Sequence, residues 1–187
     1  MRVGVRHGLA LILLLLGGCG GADARRGRQA MEAVQIMGAD LKARGAQASD
    51  RFTRRPDFEE LRRAFGEDRF DAGTPLGPGF QTTLAAMVED LRAGLEKEPK
   101  DAYFLRKAVR RVRHFHQWWM FSRQELEARR DRMIKEAPDP PAPNLRGGRS
   151  LRSDTLTVLD EVIPVIRDFE EACLRCARRL EELLAAS

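Results

Sequence analysis

The segment that decides the fold is LDEVIPVIRDFEEACLRCARRLEEL, residues 159–183. Apolar residues recur along it at alternating steps of three and four, and polar residues fill most of the positions between them. This spacing follows the 3.6-residue period of an α-helix and the heptad pattern of a helix packed in a bundle. The segment therefore predicts one long helix whose apolar face consists of Leu159, Val162, Ile166, Phe169, Cys173, Cys176, Leu180 and Leu183.

Proline and glycine indicate where helices bend or end. Pro164 lies inside the last helix and has no backbone N–H to donate, so it predicts a kink or a start later than Ser153. Glycines and prolines are dense in GEDRFDAGTPLGPG, residues 66–79, which is predicted as a loop. APDPPAPNLRGG, residues 137–148, is predicted as a linker for the same reason.

The rest of the chain repeats the helical pattern, and no segment shows the strict alternation of a half-buried strand. A short helix is predicted over residues 56–65, because Pro56 suits a first turn and acidic residues follow it. The predicted fold is all-α: an antiparallel four-helix bundle with one additional short helix. Besides the last helix, its long helices are predicted over residues 28–48, 80–96 and 99–136.

The N-terminus has the pattern of a secretory signal. Arg2 and Arg6 precede an apolar run, residues 9–16, that is about half the ~20 residues needed to span a membrane. The sequence Leu-Gly-Gly-Cys that follows resembles the bacterial lipobox, in which a cysteine is acylated and the bond before it is cleaved. An ordinary signal peptide followed by a stray cysteine is the alternative, but no A-x-A-like site lies nearby. We therefore predict lipidation of Cys19.

Three parts of the chain follow from this pattern: a signal peptide over 1–18, a flexible tether over 19–27 and a helical domain over 28–187. A lipoprotein of this kind is held on the membrane by its lipid, at the periplasmic face of the cell envelope. Gly20 follows the cysteine, whereas in enteric bacteria an aspartate there favours retention in the inner membrane, so the outer membrane is expected.

The chain carries a net charge of +5, but two of its arginines belong to the signal peptide. Basic clusters such as RKAVRRVRH, residues 106–114, are interrupted by apolar residues at helical spacing and are interpreted as a solvated helix face. A nucleic-acid partner is not expected outside the cytoplasm. A homodimer or another protein partner is compatible with such a bundle.

Cys173 and Cys176 form a C-x-x-C pair, the spacing used for covalent haem attachment, but Ala177 follows where that motif has histidine. Several interpretations remain open. Both cysteines can be core residues, or they can form a local disulfide in an oxidising compartment. A closed metal site commonly needs four ligands, and no second C-x-x-C pair is present. A thioredoxin-like role lacks its βαβ context.

Two segments resemble the cytochromes c prime, periplasmic four-helix bundles with haem bound near the end of the last helix. IRDFEEACLRCARRL, residues 166–180, is similar to the haem-binding segment of that family, and RQAMEAVQIMGADLKA, residues 28–43, is similar to its first helix. The resemblance implies that Cys173 and Cys176 occupy the haem-attachment positions. It also implies a sixth-ligand position at Met31, although Met37 is an alternative.

Ala177 departs from the family pattern, since it offers no axial ligand and the maturation machinery recognises the histidine as well as both cysteines. No cofactor is therefore expected, and haem c with an unusual axial ligand is the alternative. His114 and His116 are the candidate ligands, but residues two apart diverge by ~200° on a helix and cannot easily share one metal ion. No metal site is predicted.

The aromatic cluster HFHQWWMFSR, residues 114–123, is interpreted as bundle core with one exposed ring, and a ligand cavity is the alternative.

No Ser-His-Asp arrangement, phosphate-binding glycine loop or pair of inward carboxylates supports an enzyme. The expected function is that of a lipid-anchored periplasmic bundle, related to cytochrome c prime, that acts as a structural or binding module. The alternatives are an electron-transfer or gas-binding cytochrome and a periplasmic metal-responsive helical protein.

Overall fold

The computed structural model describes residues 6–97, 102–136 and 150–186, with side chains from Gly21 onward except at positions 22, 23, 72 and 97. Within these ranges the chain forms α-helices and no β-strand, so the prediction of an all-α fold is confirmed. The helices are α1 (Arg6–Thr53), α2 (Phe58–Phe65), α3 (Glu67–Gly73), α4 (Pro78–Lys97), α5 (Ala102–Lys135) and α6 (Leu151–Ala185).

Helix α6 runs antiparallel to both α1 and α5. Arg44 of α1 pairs with Asp168 of α6 at 2.6 Å, and Arg51, further along α1, pairs with Glu161, which comes earlier in α6. The partners therefore occur in reversed order along the two helices. The same reversal relates α5 to α6 through the pairs Arg113–Glu181, Arg123–Glu170 and Arg130–Asp160.

Helix α4 completes the bundle, antiparallel to α1 and α5. A Cβ atom placed on Gly38 of α1 would lie 2.5 Å from Cγ1 of Val88, so the two helices approach closely at this glycine. Gly45, later in α1, lies against Gln81, which comes earlier in α4. Because α4 also packs on α5, the four long helices form a ring in the order α1, α4, α5, α6.

The core lies along the face of α6 that the heptad spacing predicts. Every residue of the predicted seam, from Leu159 to Leu183, is buried, and none is more than 6% exposed. Side chains of α1, α4 and α5 contribute to the same continuous core. Burial of an aliphatic or aromatic side chain contributes about 1.5–3 kcal/mol, so this seam supplies a large part of the stability.

The predicted loop over residues 66–79 is wrong in its first half, where α3 lies. Gly66 has a φ of +101°, a backbone conformation that disfavours any other residue, and it separates α2 from α3. Glu67 and Asp68 occupy the first turn of α3, where acidic groups favour a helix start. Phe70 anchors α3 by stacking on Phe52 of α1 at 5.6 Å. The bundle therefore has two additional short helices rather than one.

Several helix boundaries differ from the sequence prediction. Helix α1 begins at Arg6 rather than near position 28, so the predicted tether of residues 19–27 has a helical backbone, although its flexibility stays a prediction. Helix α6 begins at Leu151, where the Ser150 side chain accepts a hydrogen bond from the backbone N–H of Ser153. The predicted start by about Ser153 is therefore confirmed, and the late start that Pro164 offered as an alternative to a kink is wrong. The predicted linker, 137–148, lies outside the described residues.

Pro164 is tolerated inside α6 because it lies on the exposed side of the helix. The missing donor would have bonded to the carbonyl of Asp160, which is also on the exposed side, where water can take its place.

In the part of the chain that the structure covers, the helices include none with the length and apolarity to span a bilayer.

Candidate functional site

The C-x-x-C pair lies on the buried face of α6, inside the bundle. Cys173 is completely buried and Cys176 is 4% exposed, and both are free thiols. Ala177, which stands where a haem-binding motif has histidine, is also completely buried. The helix therefore turns all three positions towards the neighbouring helices, as the seam predicted.

Aromatic side chains fill the core next to the pair. The indole N–H of Trp119 lies beside the Cys173 thiol, where it acts to lower the pKa of that thiol. The Trp119 ring lies 5.0 Å from the Phe169 ring and 5.1 Å from the Phe80 ring, measured between centroids. Phe80 and Phe169 are themselves 6.2 Å apart, so the three rings form one contiguous cluster from α4, α5 and α6. Edge and offset contacts of this kind add about 0.5–1.5 kcal/mol per pair.

Burial raises the pKa of both thiols, each from 9.0 to about 12. At Cys173 the neighbouring Cys176 and Glu170 add to this rise, whereas the Trp119 indole N–H opposes it. The thiolate, not the thiol, is the nucleophile and the metal ligand. At neutral pH the folded protein therefore presents two neutral, weakly reactive side chains that behave as small apolar residues.

The two methionines of α1 lie at different heights along the bundle. Asp40 pairs with Arg175 at 2.8 Å, and the antiparallel register then places Met37 at the height of Cys176 and Ala177. Met37 is 2% exposed and belongs to the core. Met31 lies about 13 Å further along the axis from Asp40, at the height of the last turn of α6, where it is half-buried at the margin of the core. The register therefore favours Met37 over Met31 as a neighbour of the cysteine pair.

Neither histidine of α5 is oriented like a buried ligand. His114 is exposed and His116 is partly exposed, although the register between Arg113 and Glu181 puts His116 near the height of Ala177. Among the described residues there is no group of three or more His, Cys, Asp or Glu side chains that could hold a metal ion.

The residues around the pair do not fit a haem group of the ordinary c type. Such a group needs an imidazole at the position of Ala177 and a flat cavity beside both sulfurs. Ala177 has no ligand atom and is fully enclosed, and Trp119 and Phe169 occupy the space on the α5 side of Cys173. The surroundings of the cysteine pair therefore lack both an axial ligand at position 177 and a cavity for the haem group.

The aromatic cluster of α5 divides between core and surface. Trp119 is buried and Phe115 packs partly against the core, which agrees with the core interpretation. Trp118 and Phe121 are 43% and 61% exposed, so two rings rather than the predicted one face outwards. Trp118 still stacks on Phe80, with 6.5 Å between ring centroids.

Sequence reasoning missed two features near this core. The first is an apolar cleft of about 310 Å³ between α1 and α4, beside Gly38 and Val88. In the sequence, only the small residues of α1 indicated this cleft, because they leave space on the side of α1 that faces α4. The second is the partly buried ion pair of Arg123 with Glu170 at 2.5 Å and with Glu127 at 2.7 Å. The hydrogen bonds to these two carboxylates raise the pKa of Arg123.

No protein-family model, curated protein or solved structure matches this chain. The likeness to the cytochromes c prime thus rests on the first and last long helices of this sequence. Haem attachment positions at Cys173 and Cys176, and a ligand position at Met31, stay predictions from that likeness. Cys19 lies among the residues whose side chains are not described, so its lipidation also stays a prediction.

Proposed function

We propose that this chain is a lipid-anchored helical bundle at the periplasmic face of the cell envelope, with the outer membrane favoured over the inner. In this proposal it is related to the cytochromes c prime, and the place of a haem site has become packed core. The bundle then acts as a structural or binding module rather than as an enzyme. The observation that carries the proposal is the complete burial of Ala177 beside two free, buried thiols.

Two further observations support a binding role over redox chemistry. The raised pKa of both thiols leaves little thiolate at neutral pH, which disfavours thiol exchange and metal ligation. The surface of the cleft between α1 and α4 is mainly apolar, although the lining residues include Gln35, Lys42, Gln81 and Glu89. Clefts with apolar walls and a few polar groups are typical of binding sites.

The haem question has a direct test. We expect the protein, expressed together with the cytochrome c maturation genes, to give no haem-stained band on a denaturing gel and no Soret absorption. The reason is that Ala177 supplies neither a ligand nor the recognition element. A stained band from the unaltered chain would overturn the proposal and favour the cytochrome with an unusual axial ligand.

The anchor is tested separately by substituting Cys19. We expect Cys19→Ala to leave an unprocessed precursor and to abolish labelling by a palmitate analogue, because no other residue can accept the diacylglycerol at that site. Several acyl chains, at about 0.8 kcal/mol per buried methylene, are enough for stable attachment. If the Cys19→Ala protein is still cleaved after Gly18 and still resists a carbonate wash, the lipoprotein interpretation fails.

A further inference from the structure

One end of the bundle is strongly basic, and it is the end from which the N-terminal segment leaves. Along the described residues at this end there are eleven lysines and arginines and four acidic residues. Their net charge of +7 exceeds the +5 of the whole chain. We call this region the anchor end; it comprises residues 24–35 of α1, 91–96 of α4, 102–113 of α5 and 177–185 of α6.

The rest of the bundle has the opposite sign. The other described residues from Ile36 onward include sixteen basic and twenty acidic side chains, a net charge of −4. The charge is thus separated along the bundle axis, which a residue count for the whole chain does not reveal. The antiparallel register produces this separation, because it brings the start of α1, the end of α4, the start of α5 and the end of α6 to one end.

Helix α5 carries most of this charge, in the five basic residues between positions 102 and 113. Arg106, Lys107 and Arg110 are exposed, and none of them forms an ion pair with a described residue. No acidic residue occupies the first turn of α5, although the positive end of the helix dipole favours acidic groups there. Arg106 and Arg110 are four residues apart on the same face, so they repel each other. The ion pairs between the described helices therefore do not account for these three basic residues.

Two more features of the anchor end suit a membrane surface. Arg25 and Arg28 are exposed on α1, a few residues after the predicted lipidation site. Tyr103 is 57% exposed in the first turn of α5, and its ring makes an edge contact with Phe104 at 5.3 Å. Tyrosine is enriched where one side of a ring meets lipid and the other meets water.

We propose that the anchor end docks on the anionic phospholipid headgroups of the leaflet that holds the N-terminal lipid. This inference rests on the proposed lipid anchor, because the anchor would keep the basic residues within a Debye length of the surface. Each Lys or Arg near an anionic surface contributes about 1 kcal/mol, so the exposed basic residues together orient the bundle upright on the membrane. The acidic remainder of the bundle then faces away from the leaflet.

The test uses a shortened protein that begins at Ala24 and so lacks the anchor. It keeps every described core side chain, the first of which is Ala30, and its fold is checked by circular dichroism. We expect it to bind vesicles of equal parts phosphatidylglycerol and phosphatidylcholine at least about tenfold more tightly than phosphatidylcholine alone, as measured by co-sedimentation. High salt should remove the difference, because it screens the surface potential.

The variant that carries Arg106→Gln, Lys107→Gln and Arg110→Gln together should lose most of this binding, about tenfold or more. Its melting temperature should stay the same or rise, since repulsion at the start of α5 is relieved. The matched control carries the same number of neutralised charges at the opposite end: Arg69→Gln, Arg132→Gln and Lys135→Gln. The control should bind anionic vesicles as the parent does.

Equal binding to both kinds of vesicle, or equal loss in the two triple variants, would overturn this inference. Binding that survives high salt would also overturn it, because it would indicate an apolar rather than a charged contact. Failure of the proposed anchor gives a different result. In that case palmitate labelling of the full chain would be absent, while the shortened protein would still prefer anionic vesicles.

Discussion

Substitution of Ala177 by histidine, which completes the C-x-x-C-H motif, is expected to lower the free energy of unfolding by about 3 kcal/mol. Ala177 is completely buried between helices, so the larger ring must displace neighbouring side chains or shift α6. The imidazole would also bring polar nitrogen atoms into an apolar core. A domain of this size has about 5–15 kcal/mol of stability, so the loss should be plain in urea unfolding.

The matched control for this experiment is Arg178→His, one residue further along α6. Arg178 is exposed, so the same imidazole there should change the unfolding free energy by no more than about 0.5 kcal/mol. If Ala177→His were as stable as the control, the core beside Cys176 would have room for a ring. A haem-stained band from Ala177→His, made with the maturation genes, would contradict the packed-core argument in the same way.

The core of the bundle could be predicted because one helix carries an unbroken signal. The three-four spacing of α6 depends only on residues within that helix, and each apolar position on the seam is buried as expected. The start of α6 was harder to predict, because the effect of Pro164 depends on which side of the helix faces water. Only the packing of α1 and α5 on α6 decides that.

Helix α3 was missed because its stability comes from a distant contact. Seven residues with two glycines close by and prolines after them give little helical signal. Phe70 nevertheless packs against both Phe52 of α1 and Phe58 at the start of α2, with ring centroids 5.6 and 6.0 Å away. Tertiary packing of one aromatic ring thus overrides a weak local preference, which local sequence reasoning cannot predict.

The basic charge of the anchor end also could not be predicted without the structure. In the sequence, RKAVRRVRH was interpreted as a solvated helix face, and nothing links it to Arg25, Arg28 or Arg178. These residues belong to three different helices. The antiparallel order of the bundle brings them to one end, so a pattern that looks ordinary in each segment becomes a charge separation in the fold.

The second large effect expected is a loss of stability at alkaline pH caused by the two buried thiols. In the unfolded chain each thiol ionises near its ordinary pKa of 9.0, whereas burial holds the folded pKa near 12. Below pH 9 both states keep their protons and the thiols contribute fully to stability. Between pH 9 and 12 only the unfolded chain releases protons, so the folded state loses stability as the pH rises.

At pH 10 the expected loss is about 1.4 kcal/mol for each thiol, or about 3 kcal/mol for Cys173 and Cys176 together. The measurement is urea unfolding of the protein beginning at Ala24, with reductant present, at pH 7 and pH 10. The comparison protein carries Cys173→Ala and Cys176→Ala. It is less stable at pH 7 because two small cavities replace the sulfurs, but it lacks the alkaline loss that the thiols cause.

The difference between the two proteins isolates the cysteines, because lysine, tyrosine and arginine residues titrate alike in both. If both proteins lose the same free energy between pH 7 and pH 10, the thiols are not buried as neutral groups. The same measurement on oxidised protein without reductant tests the local disulfide, since a disulfide has no proton to release. If the protein treated without reductant still loses the full free energy of unfolding between pH 7 and pH 10, its two thiols have stayed free. If its loss is as small as that of the double alanine variant, Cys173 and Cys176 have formed a disulfide.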